Sequence, residues 1–338
     1  MQRRYALSLS AAFVVLLLVA TLTLMWGQYP VDTRTLAGFL EYKLFGGEAL
    51  PQYALLENII VQIRLPRILL AMLIGAALAT SGAAFQAMFV NPLVSPGILG
   101  VLAGASFGAA LGMLITEQWW IVQLLAFAFG FVAVGFAVLV GSMVHAGRSR
   151  IMLVLGGVIS GSLFTALLSV VKYVADPYST LPAIVYWLMG SLSMADLSGV
   201  TLAAVPMLLS VGGLILLGKY FDLLSLGDEE ARALGINVAR IRMTAIILAT
   251  LASSLSVVMA GIIGWVGLII PHIVRMAVGP SHTLLLPLSA IVGAAFMLLA
   301  DSVSRLAMSV EIPIGILTSL IGIPIFIIVL KNARAAWN

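Results

Sequence analysis

The sequence predicts an all-α, polytopic membrane bundle of about ten transmembrane spans, built as one domain over residues 1–338. Hydrophobic residues make up 62% of the chain, charged residues only 9%, and the mean hydropathy is +1.17. A single soluble core could not bury that much apolar surface. Charge-free runs also recur at lengths of about 20 residues or more, which is what a ~30 Å hydrocarbon core requires of one helix.

The spans follow from those runs in chain order. The first run follows Arg3 and Arg4 and is longer than a signal-peptide core, so we expect it to be retained as a membrane helix. Run 68–116 is too long for one helix, and "NPLVSPG" (91–97) divides it. Run 243–274 is also long for one crossing, so we expect a second, shorter or partly unwound segment after Ala260. The total is ten, counted from the runs 5–31, 68–116, 118–147, 151–171, 197–218, 243–274, 276–300 and 312–330.

Basic residues predict the orientation. An even number of spans places both termini on one side, and the positive-inside rule makes that side cytoplasmic. Eleven of the seventeen Lys and Arg residues then lie inside. Arg64, Arg67 and Arg305 are expected at the outer ends of their spans, against the rule. These considerations predict a multi-pass protein of the inner membrane with both termini in the cytoplasm.

Composition also excludes several functions. The chain has no cysteine, and His145, His272 and His282 match no metal-ligand spacing, so no metal site is predicted. No basic block with interleaved aromatic residues indicates a nucleic-acid partner. Catalytic motifs are absent, and almost no ionisable residue falls at mid-membrane, where an ion-coupled transporter usually needs one. The chain is therefore expected to be a transport protein, not an enzyme, that takes its energy from elsewhere.

Residues 220–242 concentrate charge in a predicted cytoplasmic loop. Ser225 and Asp228 are spaced as a capping box, Asp228 and Arg232 as an i,i+4 pair, and Gly235 as a left-handed helix stop. Asn237 is placed to cap a helix that continues into the seventh span. The pattern predicts a compact knob in which Ala231 and Leu234 face a partner, although a solvated loop with a basic flank is the simpler alternative.

Several long motifs resemble the permease subunits of bacterial ABC importers for vitamin B12, ferric siderophores and haem, the FecCD type. These motifs lie between residues ~60 and 330, in the family's order. They are "RLPRILLAMLIGAALATSGAAFQAMFVNPLVSPGILG" (64–100), "VYWLMGSLS" (185–193), "GDEEARALGINVARIR" (227–242), "GIIGWVGLIIPHIVR" (261–275) and "ADSVSRLAMSVEIPIGILTSLIGIPIFIIVL" (300–330).

The resemblance implies a ten-span ABC importer permease fold and a set of partners. These are a second permease chain, expected to be an identical copy, two cytoplasmic ATPase subunits, membrane lipid, and a periplasmic or lipid-anchored substrate-binding protein. The chain itself is expected to bind no cofactor, because ATP and Mg²⁺ bind the ATPase. The residues implied in ATPase coupling are Gly227, Asp228, Glu229, Glu230, Ala231, Arg232, Leu234 and Gly235.

Two further sites follow from the resemblance. The inner gate falls on Asn91, Pro92 and Leu93, together with Arg148 and Ser149. Docking of the binding protein falls on the three outer arginines, each expected to receive a carboxylate of the partner. The alternatives are that the gate residues form a proline-broken turn, that Arg64 and Arg67 reach lipid headgroups, and that Arg305 pairs with Asp301 four residues earlier.

The expected cargo is a metal chelate such as a ferric siderophore, haem or cobalamin. The same importer type carrying an oxyanion such as molybdate is an alternative, because nothing in the sequence separates these cargoes. An ion-coupled secondary transporter and a non-transporting membrane scaffold are the alternatives of other classes. The sequence does not decide whether the paired permease chains are identical.

Overall fold

The computed structural model describes residues 2–46, 52–144 and 150–337, whose regular secondary structure is all helical, with no β-strand. A π-helical stretch, Glu57–Arg64, joins α3 to α4, and a 3₁₀ turn, Pro96–Leu99, precedes α5. The helices are α1 Gln2–Met25, α2 Thr33–Phe45, α3 Gln52–Leu56, α4 Leu65–Phe89, α5 Val101–Ile115, α6 Trp119–Val144, α7 Arg150–Val174, α8 Thr180–Leu188, α9 Leu197–Leu216, α10 Gly218–Leu224, α11 Asp228–Ala233, α12 Val238–Ala260, α13 Val266–Val278, α14 His282–Leu306 and α15 Ile314–Trp337.

Ten apolar helices in the described part of the chain account for the predicted spans. Seven are long and apolar enough to cross a membrane: α1, the continuous α3–α4 helix, α6, α7, α9, α12 and α14. Shorter apolar stretches lie in α5, α13 and α15. The predicted all-α bundle of about ten spans is confirmed. The predicted eighth span, α13, has 13 residues and is therefore about 20 Å long, less than a full crossing.

Three short helices outside the spans, α2, α8 and α10, were not predicted. The carboxylate of Asp32 caps α2 by accepting a hydrogen bond from the Thr35 amide at 2.8 Å, and this bond lowers the pKa of Asp32. Leu36 and Phe39 then bury the apolar face of α2. A search for long charge-free runs passes over them, because α2 carries Arg34, Glu41 and Lys43, and α8 and α10 have only nine and seven residues.

Small residues let the central helix α4 approach its neighbours at backbone distance. A Cβ atom added at Gly75 would lie 2.2 Å from the Gly293 carbonyl oxygen of α14, and one at Gly82 would lie 1.8 Å from that of Gly267 in α13. Helices in lipid associate largely through such close packing. These close contacts place α4 in the core between α13 and α14.

Three interruptions between helices satisfy one another's backbone groups. The amide of Ser191 donates to the Ala260 carbonyl at 2.9 Å, and the amides of Ile314 and Gly315 donate to the carbonyls of Gly190 and Met189 at 3.0 and 3.1 Å. Irregular backbone at membrane depth is tolerated where protein groups supply its hydrogen bonds. These contacts join the chain before α9, between α12 and α13, and before α15.

Candidate functional site

The predicted knob is present, and we call residues Gly227–Gly235 the coupling segment. Gly235 has φ +81°, the predicted left-handed stop after α11, and the Asn237 side chain accepts a hydrogen bond from the Arg240 amide at 3.0 Å, capping α12 as predicted. The prediction that Ser225 caps the helix of the coupling segment is wrong. Its hydroxyl donates to the Phe221 carbonyl at 2.9 Å and so belongs to the end of α10.

Asp228 anchors the coupling segment to two membrane helices. Its carboxylate accepts hydrogen bonds from Arg150 at the start of α7, at 2.5 Å, and from Arg242 near the start of α12, at 3.0 Å to each oxygen. Partial burial alone would raise the pKa of Asp228, but these two guanidinium groups outweigh it and hold the pKa below its ordinary value. The predicted Arg232 pair is longer, at 3.9 Å. The long-range pairs therefore fix the segment more than the local one.

The coupling segment has a buried face and an exposed face. Ala231 is completely buried, so the prediction that it faces a partner is wrong: its methyl group packs in the chain's own core. Glu229 and Glu230 are exposed, and 60% of the surface of Leu234 is exposed. An anchored segment with two carboxylates and a leucine outward is suited to contact another protein surface.

The predicted gate residues Asn91, Pro92 and Leu93 form an exposed turn after α4. Val90 ends the helix with φ +50°, and the side-chain oxygen of Asn91 accepts a hydrogen bond from the Leu93 amide at 2.9 Å. The proline-broken turn is thus present. From Pro96 onward the chain turns back into the bundle, where the carbonyl of Ile98 contacts α7.

The other two predicted gate residues, Arg148 and Ser149, lie outside the described residues. The gate function of Asn91, Pro92 and Leu93 stays a prediction.

The outer arginines form an internal network, which we call the arginine cluster: Arg67, Asp301, Arg305 and Glu311. Arg67 donates a hydrogen bond to the fully buried carboxylate of Asp301 at 2.7 Å. It also donates one hydrogen bond to each carboxylate oxygen of Glu311, both at 2.9 Å. Arg305 donates to the other oxygen of Asp301 at 3.0 Å. The alternative of an Asp301–Arg305 pair along α14 is therefore confirmed, and the cluster ties α4, α14 and the turn before α15 together.

The guanidinium group of Arg64 is also paired within the chain and is not exposed. Its side chain donates to the carbonyls of Leu24 and Tyr29, at and beyond the end of α1. Only 5% of the surface of Arg64 and 8% of that of Arg67 is exposed. Carbonyls and carboxylates of the chain itself therefore already satisfy both side chains. Docking by the three arginines stays a prediction that requires these pairs to open.

Sequence reasoning missed two polar links because their partners lie far apart in the chain. Gln86 of α4 accepts a hydrogen bond from Arg275 of α13 at 3.0 Å. The carboxylate of Asp222 in α10 accepts a hydrogen bond from the His282 amide at 2.6 Å, so Asp222 caps α14. The same carboxylate lies 2.9 Å from the Nδ1 atom of the His282 ring. In the described chain no group of three His, Asp or Glu side chains is placed to hold a metal ion.

Comparison with known proteins decides the family. The profile of the FecCD transport family matches residues 14–332. The chain belongs to this family. It is therefore a permease subunit of an ABC importer, a multi-pass protein of the inner membrane, and its family works with an ATPase, a substrate-binding partner and a paired permease.

Three relatives illustrate the range of the family. The chain is 40% identical to the molybdate import system permease protein MolB of Haemophilus influenzae over 96% of each chain. It is 36% identical to the vitamin B12 import system permease protein BtuC of Vibrio parahaemolyticus, over 99% of this chain and 97% of the other. A solved ABC transporter of the metal-chelate type, in an inward-facing conformation, superposes with a TM-score of 0.86 at 38% identity, covering 96% of this chain and 98% of that one.

Proposed function

We propose that this chain is the membrane-spanning subunit of a binding-protein-dependent importer that carries a metal chelate into the cytoplasm. The observation that carries the proposal is the coupling segment, which is held from inside by Asp228 and presents Glu229, Glu230 and Leu234 outward. A rigidly anchored surface of this kind can transmit a partner's movement to α7 and α12. The energy then comes from ATP hydrolysed by another subunit.

The proposal includes the orientation of the chain in the membrane and the partners with which it assembles. The coupling segment and both termini lie in the cytoplasm, and the arginine cluster lies at the periplasmic end. Residues 1–338 act as one permease domain that pairs with an identical copy and contacts two ATPase subunits. ATP and Mg²⁺ are held by the ATPase, and a periplasmic or lipid-anchored protein delivers the cargo.

A metal chelate is the cargo that two of the three comparisons support, since the relatives include a vitamin B12 permease and a transporter of the metal-chelate type. An oxyanion is the second candidate, because a molybdate permease is 40% identical over nearly the whole chain. An ion-coupled transporter is less well supported. Such a transporter usually needs an unpaired ionisable group within the membrane, whereas the fully buried carboxylate of Asp301 is paired with both Arg67 and Arg305.

Reconstitution tests the proposal and the cargo together. The chain, its ATPase and its binding protein are placed in proteoliposomes, and uptake of a labelled ferric siderophore, cobalamin and molybdate is compared. We expect uptake of one metal chelate that requires both ATP and the binding protein and is unaffected by an ionophore. Molybdate uptake under the same conditions would select the second candidate, and uptake that persists without ATP would contradict the importer function.

A further inference from the structure

A cavity beside the coupling segment has no assigned occupant. It lies between the last turns of α6 and the first turns of α7 and α12. Its volume of about 470 Å³ is within the ~300–1,000 Å³ typical of small-molecule sites. We propose that it binds an anionic phospholipid, with the phosphate on a basic rim and an acyl chain along an apolar wall.

Among the described residues, three arginines of the basic rim share ion pairs with a single carboxylate. Arg150, Arg232 and Arg242 all line the cavity, and the carboxylate that pairs with all three is that of Asp228. Within the described residues, the Nε of Arg242 is buried and has no hydrogen-bond partner. That atom is shielded from the cavity, so an anion there is favoured by the guanidinium groups on the rim and not by the Nε. A phosphate group supplies several acceptor oxygens and the missing negative charge.

The opposite wall is apolar, which favours a lipid over a soluble anion. Val138, Leu153, Met243 and Ile246 provide it, one or two from each of the three helices. A small oxyanion would leave these side chains without a partner, whereas an acyl chain would cover them. Met143, next to the lining residue Ser142, is 72% exposed, as expected for a helix surface that faces lipid. Basic pockets between membrane helices on the cytoplasmic side are suited to anionic headgroups.

The consequence concerns the coupling segment. A phosphate held by Arg150 and Arg242 lies beside the pairs that these residues form with Asp228, so a bound lipid would join α6, α7 and α12 around the anchor. The inner leaflet as the source of the lipid rests on the proposed orientation. Binding itself does not, and it can be measured on the isolated chain without ATPase, binding protein or cargo. Failure of this inference is therefore distinguishable from failure of the proposed function.

The test uses the full chain in nanodiscs of phosphatidylcholine with a minor fraction of phosphatidylglycerol, and native mass spectrometry counts the lipids that stay bound. We expect one phosphatidylglycerol to be retained in preference to phosphatidylcholine. Each basic residue near an anionic headgroup strengthens lipid binding roughly five-fold. The double variant Arg150→Gln and Arg242→Gln should therefore weaken retention about thirty-fold. Arg240→Gln, an exposed arginine outside the cavity, should leave retention unchanged.

A second variant keeps the inference testable if the double variant unfolds. Ala239→Phe fills the cavity from an exposed lining position and leaves the pairs of Asp228 intact, so it should abolish retention. Ala233→Phe adds the same bulk outside the cavity and should not. Equal retention of the two lipids, unchanged retention in Ala239→Phe, or displacement of the lipid by inorganic phosphate alone would each overturn the proposal.

Discussion

Asp228 is the residue on which the geometry of the coupling segment depends. Its carboxylate joins three arginines from α7, α11 and α12, while the neighbouring carboxylates of Glu229 and Glu230 point outward. One carboxylate therefore anchors the segment, and the two beside it remain available to a partner. This division of roles leads to a prediction that separates them.

Replacing Asp228 with Asn should loosen the coupling segment. The neutral amide loses charged hydrogen bonds to Arg150 and Arg242, whose net contribution is about 1–2 kcal/mol, so local opening should become roughly ten-fold more frequent. Hydrogen exchange of the Ile236 amide, which donates to the Ala231 carbonyl at 3.0 Å, reports that opening. Glu229→Gln is the control and should leave this exchange unchanged; equal effects of the two variants would contradict an anchor at Asp228.

The pH dependence of that anchor follows from the lowered pKa of Asp228. A carboxyl group whose folded pKa lies below its unfolded value stabilises the fold at pH values above the unfolded pKa. That contribution is lost as the pH falls through the folded value. The difference in exchange between the protein and its Asp228→Asn variant should therefore be constant from pH 5 to 8, begin to shrink below about pH 4, and disappear only below the lowered folded pKa. A difference that changes between pH 6 and 8 would contradict this account.

The arginine cluster predicts a stability effect at single residues. Asp301→Ala would leave Arg67 and Arg305 buried without their shared carboxylate, which should cost about 3–5 kcal/mol. The exposed pair Lys43–Glu57, at 2.8 Å, provides the control, because Lys43→Ala should cost no more than about 1 kcal/mol. Thermal unfolding in detergent measures both. A cost at Asp301 as small as that at Lys43 would mean that the cluster is not structural.

Whole helices pack through glycine contacts, and these too make a prediction. Gly75→Ala places a methyl group against the Gly293 carbonyl and should destabilise the protein by about 1–3 kcal/mol. At Gly135 in α6 an added Cβ meets no atom within 4 Å, so Gly135→Ala should be neutral or slightly stabilising. The two substitutions are chemically identical and differ only in their surroundings. Similar melting temperatures for both variants would contradict close packing of α4 on α14.

The turn after α4 makes a functional prediction for an element. If Asn91, Pro92 and Leu93 form the inner gate, replacing Asn91 and Leu93 with Gly should widen it and increase passive leak of cargo from loaded vesicles. Asn91→Asp with Leu93→Met is the matched control, because it keeps both the acceptor for the turn and the apolar bulk. An unchanged leak in the glycine variant would place the gate elsewhere.

At the scale of the molecule, periodicity and length predict the spans but not their partners. Charge-free runs located ten apolar helices, and Gly235 and Asn237 located the ends of α11 and α12, because span length and helix termini depend on nearby residues. The surroundings of Ala231 and Arg67 were not predicted for the opposite reason: they come from residues far away in the chain. Arg67 contacts Asp301 and Glu311, over 230 residues later, and no local pattern reports such a pair.

The central claim is that the exposed face of the coupling segment transmits ATP hydrolysis to transport. The most direct test measures cargo molecules imported per ATP hydrolysed in proteoliposomes containing the complete importer with Glu229→Ala, Glu230→Ala and Leu234→Ala combined. We predict that the variant folds and receives its binding protein normally but imports far less cargo per ATP than the unmodified importer. An unchanged ratio at equal incorporation would contradict the claim.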